Sequence, residues 1–205
     1  MKVENGNIGL REGVVEHLGV ERGRDQNGQG AACGMTEDRE SLAERIKQFL
    51  DANHIMALAT ASRLSPHAVN LFYVRDGFSL IFVSAPESRH AQDLCANPIV
   101  SATVAPDVAD YPAVRGVQIT GTARVVTEVE QRARLLGLLA ARYKFLGRVA
   151  DGPERLQTAL EKAGVYRLAS NRIVLIDNSL GFAHKEELVV TEGRAKAKAG
   201  QASGL

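Results

Sequence analysis

The chain has 205 residues, of which 45% are hydrophobic and 24% charged, and its formal net charge is +1. A near-neutral chain has no global attraction to nucleic acid or to an anionic membrane, so neither is expected as a partner. The two cysteines lie far apart, which disfavours a disulfide framework, and the five histidines form no close pair, which disfavours a metal site. No apolar run reaches the roughly 20 residues that a membrane span needs. We therefore expect a cytoplasmic protein.

Both ends of the chain differ in composition from its middle. Residues 1–35 are rich in Gly, Asn and Gln, which predicts a disordered extension, and Met35 is expected to be the natural start. Residues 192–205 are small, basic and low in complexity, which predicts a disordered tail. The folded domain is therefore predicted over residues 36–191.

Hydrophobic periodicity predicts two helices among the first strands of this domain. Apolar residues on one face predict a helix over 37–52. A second, short helix is expected to begin at Ser88-Arg89-His90 and to stop at Asn97-Pro98, because the residue before a proline avoids helical geometry. The strands predicted in this half are apolar or alternating runs over residues 54–61, 66–74, 78–84 and 99–105.

The second half of the domain combines long strands with helices. Residues 114–127 alternate well and place Gln118 on the polar side of a half-buried strand. The remaining predicted elements are helices over 128–146 and 153–164, a strand over 165–177 with a bend at Ser170-Asn171, and an edge strand over 184–192. Six or seven strands joined largely by hairpins predict an α+β, mainly β, protein: a small antiparallel barrel with helices packed outside it.

Arg89 and His90 raise the main chemical question, because they stand in the first turn of the short helix. A helix N-terminus carries partial positive charge and favours anions, so cations there are unfavourable without a negative ligand. One interpretation is that a phosphate completes the site. The other is that Ser88 is a plain N-cap and that Arg89 and His90 are solvated. The residues alone leave both interpretations open.

The ordered set of elements resembles the FMN-binding split-barrel superfamily of pyridoxamine 5'-phosphate oxidase, and within it the YhbP-like branch. The resemblance covers residues 37–190. It rests on PHAVNLFYV (66–74), the strand ending at Ser84, SRHAQDLCANP (88–98), RGVQ (115–118) and DNSLGF (177–182). It implies a six- to seven-stranded antiparallel split barrel with flanking helices, and a homodimer with two FMN sites at its interface.

The resemblance also implies which residues hold the cofactor. Ser88, Arg89 and His90 match the segment that binds the FMN phosphate, with His90 where the family usually has lysine. Because histidine is mostly neutral above a pKa of about 6.5, affinity is expected to be weaker or pH-dependent. The other implied contacts are Val69, Asn70, Leu71, Phe72, Ser84 and Gln118. Phe72 is equally interpreted as a core residue, and Gln118 as a solvent-facing one.

The function implied is an FMN-dependent oxidoreductase acting on an unidentified small molecule, with no catalytic residue assigned. The chain has neither a GxSxG elbow nor a P-loop, which disfavours a serine hydrolase and a nucleotide triphosphatase. The alternatives are a non-catalytic haem- or flavin-binding module and a deazaflavin-dependent reductase; a haem ligand would come from His54, His67 or His90. DNSLGF is interpreted as a structural connection rather than a lid or dimer contact.

Overall fold

The computed structural model describes residues 41–62, 65–150, 152–191 and 194–198. The predicted N-terminal extension, the expected natural start at Met35 and part of the predicted C-terminal tail lie outside these residues. The helices of the described residues are α1 (Leu42–Ala52), α2 (Arg89–Ala96), α3 (Val129–Arg142), α4 (Lys144–Ala150) and α5 (Glu154–Lys162). None of them is long and apolar enough to cross a membrane.

The strands form one antiparallel sheet with the order β2-β1-β5-β6-β7-β4-β3, in which β8 also pairs with β7 and β9 pairs with β8. Their bounds are β1 (Ile55–Ala61), β2 (Pro66–Phe72), β3 (Val74–Asp76), β4 (Ser79–Ser84), β5 (Ile99–Val104), β6 (Arg115–Val125), β7 (Gly164–Asp177), β8 (Lys185–Thr191) and β9 (Arg194–Lys198). The sheet curls into a half-barrel until β2 approaches β4. We call the gap between these two strands, which are not neighbours in the hydrogen-bonded order, the seam.

Two apolar clusters hold the domain together. The barrel interior is filled by inward side chains of the strands and is capped by α1 and α2, for example through Ile46 and Leu94. A second cluster forms where α3 packs on the outer face of β3, β4 and β7, through Leu135, Leu139 and Ile81. Each fully buried side chain of this size contributes about 1.5–3 kcal/mol. The outer face of β2, β1, β5 and β6 carries mainly small side chains instead.

Two predicted elements are divided by tyrosines. The strand predicted over 66–74 breaks at Tyr73, whose ring is buried and whose hydroxyl donates to the Leu50 carbonyl at 2.7 Å. Its two parts pair with different strands, β1 and β4. The helix predicted over 128–146 breaks at Tyr143, which has extended backbone angles. In both places a long-range contact of the tyrosine outweighs the local pattern.

Further differences concern the sheet. The described strands number nine rather than six or seven, because β3 is separate and because β9 exists. The tail predicted to be disordered from residue 192 therefore contains a strand, Arg194–Lys198, paired with β8. The bend predicted at Ser170-Asn171 is confirmed as a bulge, since Thr120 pairs with Arg172 and Gly121 with Ser170.

Candidate cofactor site

Three polar side chains meet at the N-terminus of α2. Ser84 ends β4, and a short turn brings Ser88 to the helix as its N-cap, where Ser88 Oγ accepts from the Ala91 amide at 3.4 Å. Ser84 Oγ lies 2.6 Å from His90 Nε2 and 3.1 Å from Ser88 Oγ. Ser88 Oγ also lies 3.1 Å from the same imidazole nitrogen. The structure thus brings Ser84, Ser88 and His90 together, and the N-cap interpretation of Ser88 is confirmed.

His90 closes one end of the seam. Its ring is only 6% exposed. It stacks on the ring of His67 from β2, with centroids 6.3 Å apart and planes 12° from parallel, while its Nε2 faces Ser84 of β4. The interpretation of His90 as a solvated side chain is therefore wrong, because the residue connects two strands that share no backbone ladder.

The environment of His90 determines its charge. Burial lowers the pKa of the imidazole below its ordinary value, and the nearby His67 lowers it further, while Asp93 opposes the change. A ring with a pKa below about 6.5 is mostly neutral at pH 7. His90 is therefore a neutral hydrogen-bonding group and adds no second cation beside Arg89.

Arg89 is the cation of this helix terminus. Its side chain is exposed, and one guanidinium nitrogen donates to Ser65 Oγ at 2.6 Å, just before β2. This contact links the first turn of α2 to the residue just before β2. The early amides of a helix have no acceptor within the helix, so donors and a positive charge converge here.

A buried pair anchors the helix beneath this cluster. Thr60 Oγ1 of β1 donates to Asp93 Oδ2 of α2 at 2.8 Å, and both residues are buried. A hydrogen bond to a charged group is worth about 1.5–3 kcal/mol, so this pair holds α2 firmly on the barrel. Neither Thr60 nor Asp93 was among the predicted site residues. Asp93 could have been recognised as a site residue from its position, three residues after His90 on the same helix face.

The predicted contacts on β2 are divided between two faces of the sheet. Val69 and Leu71 point inward and pack on the barrel core. Asn70 points outward and starts a cross-strand row that continues through Ala57, Thr103 and Gln118. The side chains of Val69 and Leu71 therefore do not share a surface with Asn70 and Gln118, because successive residues of a strand face opposite sides.

The outward row borders a shallow groove of about 390 Å³, which we call the outer groove. Apart from Arg172, the residues that line it are uncharged and mostly small: Ala57, Ala59, Ala68, Ser101, Ala102, Thr103, Gln118, Ile119 and Thr120. Small side chains leave room for a flat group against the sheet. Gln118 is exposed and lines this groove, so its interpretation as a solvent-facing residue is confirmed, while its contact with the cofactor stays a prediction.

Phe72 lies at the other end of β2 from Arg89 and is 48% exposed. Its ring meets those of Tyr143 and Phe145, at centroid distances of 5.1 and 5.2 Å. The interpretation of Phe72 as a core residue is wrong, because the side chain faces outward beside Asn70 and is covered only along its edge.

DNSLGF forms a short 3-10 turn after β7, at the sheet end opposite Ser84. Asp177 accepts hydrogen bonds from Ser179 and forms an ion pair with Arg115, which keeps the pKa of this carboxyl below its usual value against the effect of burial. Phe182 is 77% exposed and stacks on Tyr111, with centroids 5.5 Å apart. The turn is connected through side chains to the loop before β6, so the structure gives it a connecting role.

A curled antiparallel half-barrel closed at its seam by a short helix defines a split-barrel protein. The model of the family described as pyridoxamine 5'-phosphate oxidase matches residues 42–172, and the chain belongs to this family. A UPF0306 protein of Serratia proteamaculans is 28% identical over 152 residues, which are 73% of this chain and 94% of that protein.

Solved structures give the same fold. A haem-binding protein from Mycobacterium smegmatis superposes with a TM-score of 0.59 at 18% identity, over 74% of this chain and 59% of its own. HutZ, the haem storage protein of Vibrio cholerae, superposes with a TM-score of 0.52 at 21% identity, over 64% of this chain and 91% of its own. At these identities the likeness establishes the fold alone, and it confirms the split barrel predicted from the sequence.

Proposed function

We propose that the chain binds FMN at the seam and that it is an FMN-dependent oxidoreductase acting on a small molecule. The observation that carries the proposal is the convergence of Ser84, Ser88 and Arg89 at the first turn of α2. Hydroxyls, a guanidinium and helix amides are the donors that bind phosphate groups in proteins.

The residues present fit the rest of the cofactor. The outer groove offers space against small side chains such as Ala59 and Ala68, and Ala68 follows His67 of the seam along β2. Gln118 supplies an amide group in the lining of the groove, and Asn70 stands opposite Ala57 of that lining. In this arrangement Arg89 and the serines would hold the phosphate, while Asn70 and Gln118 would meet the ring system.

The protein and the cofactor have separate roles in this proposal. When bound, FMN supplies hydride-transfer chemistry, and the protein positions it and tunes its electronics. Neutral His90 keeps the two serine hydroxyls in place through Nε2. A neutral group there leaves Arg89 as the main counter-charge of the phosphate, so the affinity depends strongly on that residue.

The outer face of β2, β1, β5 and β6 supports a homodimer as part of the same proposal. The face carries mainly small side chains and exposes Ile99, whereas the equivalent face of β3, β4 and β7 is covered by α3. A second copy lying on it would enclose the outer groove and exclude water from a bound ring.

A haem-binding module is the second candidate function, and one observation favours it. His67 and His90 place two imidazoles side by side at the seam, and two solved relatives are described as binding or storing haem. Because Nε2 of His90 already lies within hydrogen-bond distance of two serine hydroxyls, His67 would be the iron ligand in this case. A Soret band lost in His67→Ala would support this candidate.

The test of the FMN proposal is a titration of the full chain followed by flavin fluorescence. Arg89→Ala is expected to weaken FMN binding roughly tenfold to a hundredfold, because a charge-assisted hydrogen bond is worth about 1.5–3 kcal/mol. Arg124→Ala, which removes an exposed arginine of β6, is the matched control and should bind FMN like the wild type.

Riboflavin, which lacks the phosphate, separates the phosphate contact from the ring contacts. Its affinity should be the same in the wild type and in Arg89→Ala. If the wild type binds no FMN, or if Arg89→Ala and Arg124→Ala bind it equally well, the proposed phosphate site is wrong.

A further inference from the structure

We propose that a second cavity of the domain, away from the seam, binds a small monocarboxylate with an apolar body. The cavity has a volume of about 380 Å³ and is lined by residues of α1 and of the paired ends of β6 and β7. We call it the end cavity. Arg115 in its lining pairs with Asp177, the last residue of β7, whereas Ser84 pairs with Gly164, the first. The end cavity is therefore separate from the proposed FMN site and goes beyond the proposed function.

Two arginines from different elements give the end cavity its charge. Arg45 comes from α1 and Arg115 from the first position of β6. Among the described residues that line the cavity, Asp177 is the only acidic one. Two arginines and one aspartate leave an excess of one positive charge. This excess fits a monocarboxylate better than a dianionic phosphate, because uncompensated charge in a partly enclosed site is unfavourable.

Contacts with other side chains hold both guanidinium groups in place. Arg45 Nη2 forms an ion pair with Glu186 Oε2 of β8 at 2.7 Å. Arg115 Nε donates to Asp177 Oδ1 at 3.1 Å, and its Nη2 donates to Ser179 Oγ at 3.0 Å. A guanidinium has more N–H donors than these contacts use, so donors remain for a ligand. Because both groups are positioned before the ligand arrives, little side-chain ordering opposes binding.

Asp177 does not make the end cavity repel an anion. Its Oδ1 accepts hydrogen bonds from the amide and the hydroxyl of Ser179 as well as from Arg115 Nε. The side chain is only 13% exposed. Its charge is therefore compensated by these donors, and the remaining donors of Arg115 and Arg45 face a ligand without a competing acceptor from Asp177.

Apolar side chains line much of the rest of the end cavity. Phe49 and Ala52 come from α1, and Leu175 comes from β7. Phe49 packs against the barrel core and Leu175 is only 5% exposed, so both belong to fixed parts of the fold. Sites for small molecules combine apolar walls with a few placed polar groups, and the arginine fork matches a carboxylate. A carboxylate on the arginines would therefore leave an apolar body against Phe49 and Leu175.

The experiment is a titration of the full chain with benzoate, which carries one carboxylate on an apolar ring, followed by amide shifts in two-dimensional NMR spectra. Benzamide has nearly the same shape without the charge and is the matched control ligand. The wild type should bind benzoate at least about tenfold more tightly than benzamide, because the neutral amide loses the charge-assisted hydrogen bonds to the arginines. If the wild type binds no benzoate, or binds both ligands equally well, the inference is wrong.

Variants locate the bound carboxylate. Arg115→Gln should weaken benzoate binding about tenfold. Arg134→Gln is the matched control and should bind benzoate like the wild type, because Arg134 lies outside the cavity lining but is likewise paired with an aspartate and equally exposed, at 53% against 51%. Ala52→Leu narrows the end cavity without changing a charge, and it should weaken benzoate binding even if Arg115→Gln fails to fold.

The outcomes separate the end cavity from the proposed FMN site. Wild-type affinity in both Ala52→Leu and Arg115→Gln, or an equal loss in Arg115→Gln and Arg134→Gln, would overturn the inference. A loss confined to Arg89→Ala would do the same and would place the carboxylate at the first turn of α2. Failure of the FMN titration with benzoate binding intact would count against the cofactor and not against the end cavity.

Discussion

Gly121 of β6 is expected to tolerate no side chain, although alanine is a minimal change. It lies at the bulge between β6 and β7, where an added Cβ would overlap the Ala169 carbonyl oxygen and lie 3.0 Å from Ser170 Cα. These obstacles are backbone atoms of a strand, and the Ser170 hydroxyl also binds the Phe78 carbonyl at 2.6 Å. The backbone therefore cannot move aside without breaking sheet contacts.

The expected cost of Gly121→Ala is about 3 kcal/mol, the upper part of the usual range for overpacking, because no flexible side chain can give way. For a domain of this size that corresponds to a melting temperature roughly 6–12 °C lower. Urea denaturation followed by circular dichroism measures the free energy of unfolding directly.

Gly137→Ala is the matched control for this change. Gly137 lies in α3, and a Cβ added there would meet no other atom within 4 Å. Alanine at this position should therefore stabilise the protein by about 0.5–1 kcal/mol through its higher helix propensity. A free energy of unfolding for Gly121→Ala within about 0.5 kcal/mol of the wild type would refute the close approach of β6 and β7.

Two further predictions concern His90 and the assembly. Because the folded pKa of His90 lies below the ordinary value near 6.5, the unfolded chain binds more protons below that pH, so stability should fall as the pH drops through about 6.5. His90→Gln should flatten this slope in urea titrations between pH 5 and about 7.5, and an unchanged slope would contradict the buried, neutral imidazole. Light scattering should give twice the 22.1 kDa chain mass for the wild type and one chain mass for Ser101→Arg, which puts a charge on the outer groove. A wild-type monomer would rule out the proposed dimer.

Most elements of the fold could be predicted from local patterns. Alternation along β6 identified its inward side chains correctly from Val117 to Ala123, and only Val125, at the strand end, is exposed instead. The first turn of α2 was predictable as well, since Ser88 has the side chain that N-caps require. The spacing of apolar residues along a helix or strand indicates which of its sides is buried, whatever that side packs against.

The candidate site was predictable in part. Ser88 and His90 were selected as parts of one segment and Ser84 separately, and the structure brings these three side chains together. Val69, Asn70 and Leu71 were selected as one segment from the family resemblance, and strand alternation places the side chains of Val69 and Leu71 on the face opposite to Asn70. The Thr60–Asp93 pair was missed because 33 residues separate its two members.

The amino-acid sequence by itself determined most helix and strand types and the N-cap of α2, because each depends on residues close together in the chain. Only the tertiary structure decided that His90 is buried and neutral, since its burial comes from the meeting of α2 with β2 and β4. It also decided that Phe72 faces solvent against Tyr143, about 70 residues further along the chain. Such contacts depend on how the sheet curls and on which strand follows which, and local periodicity carries no information about either.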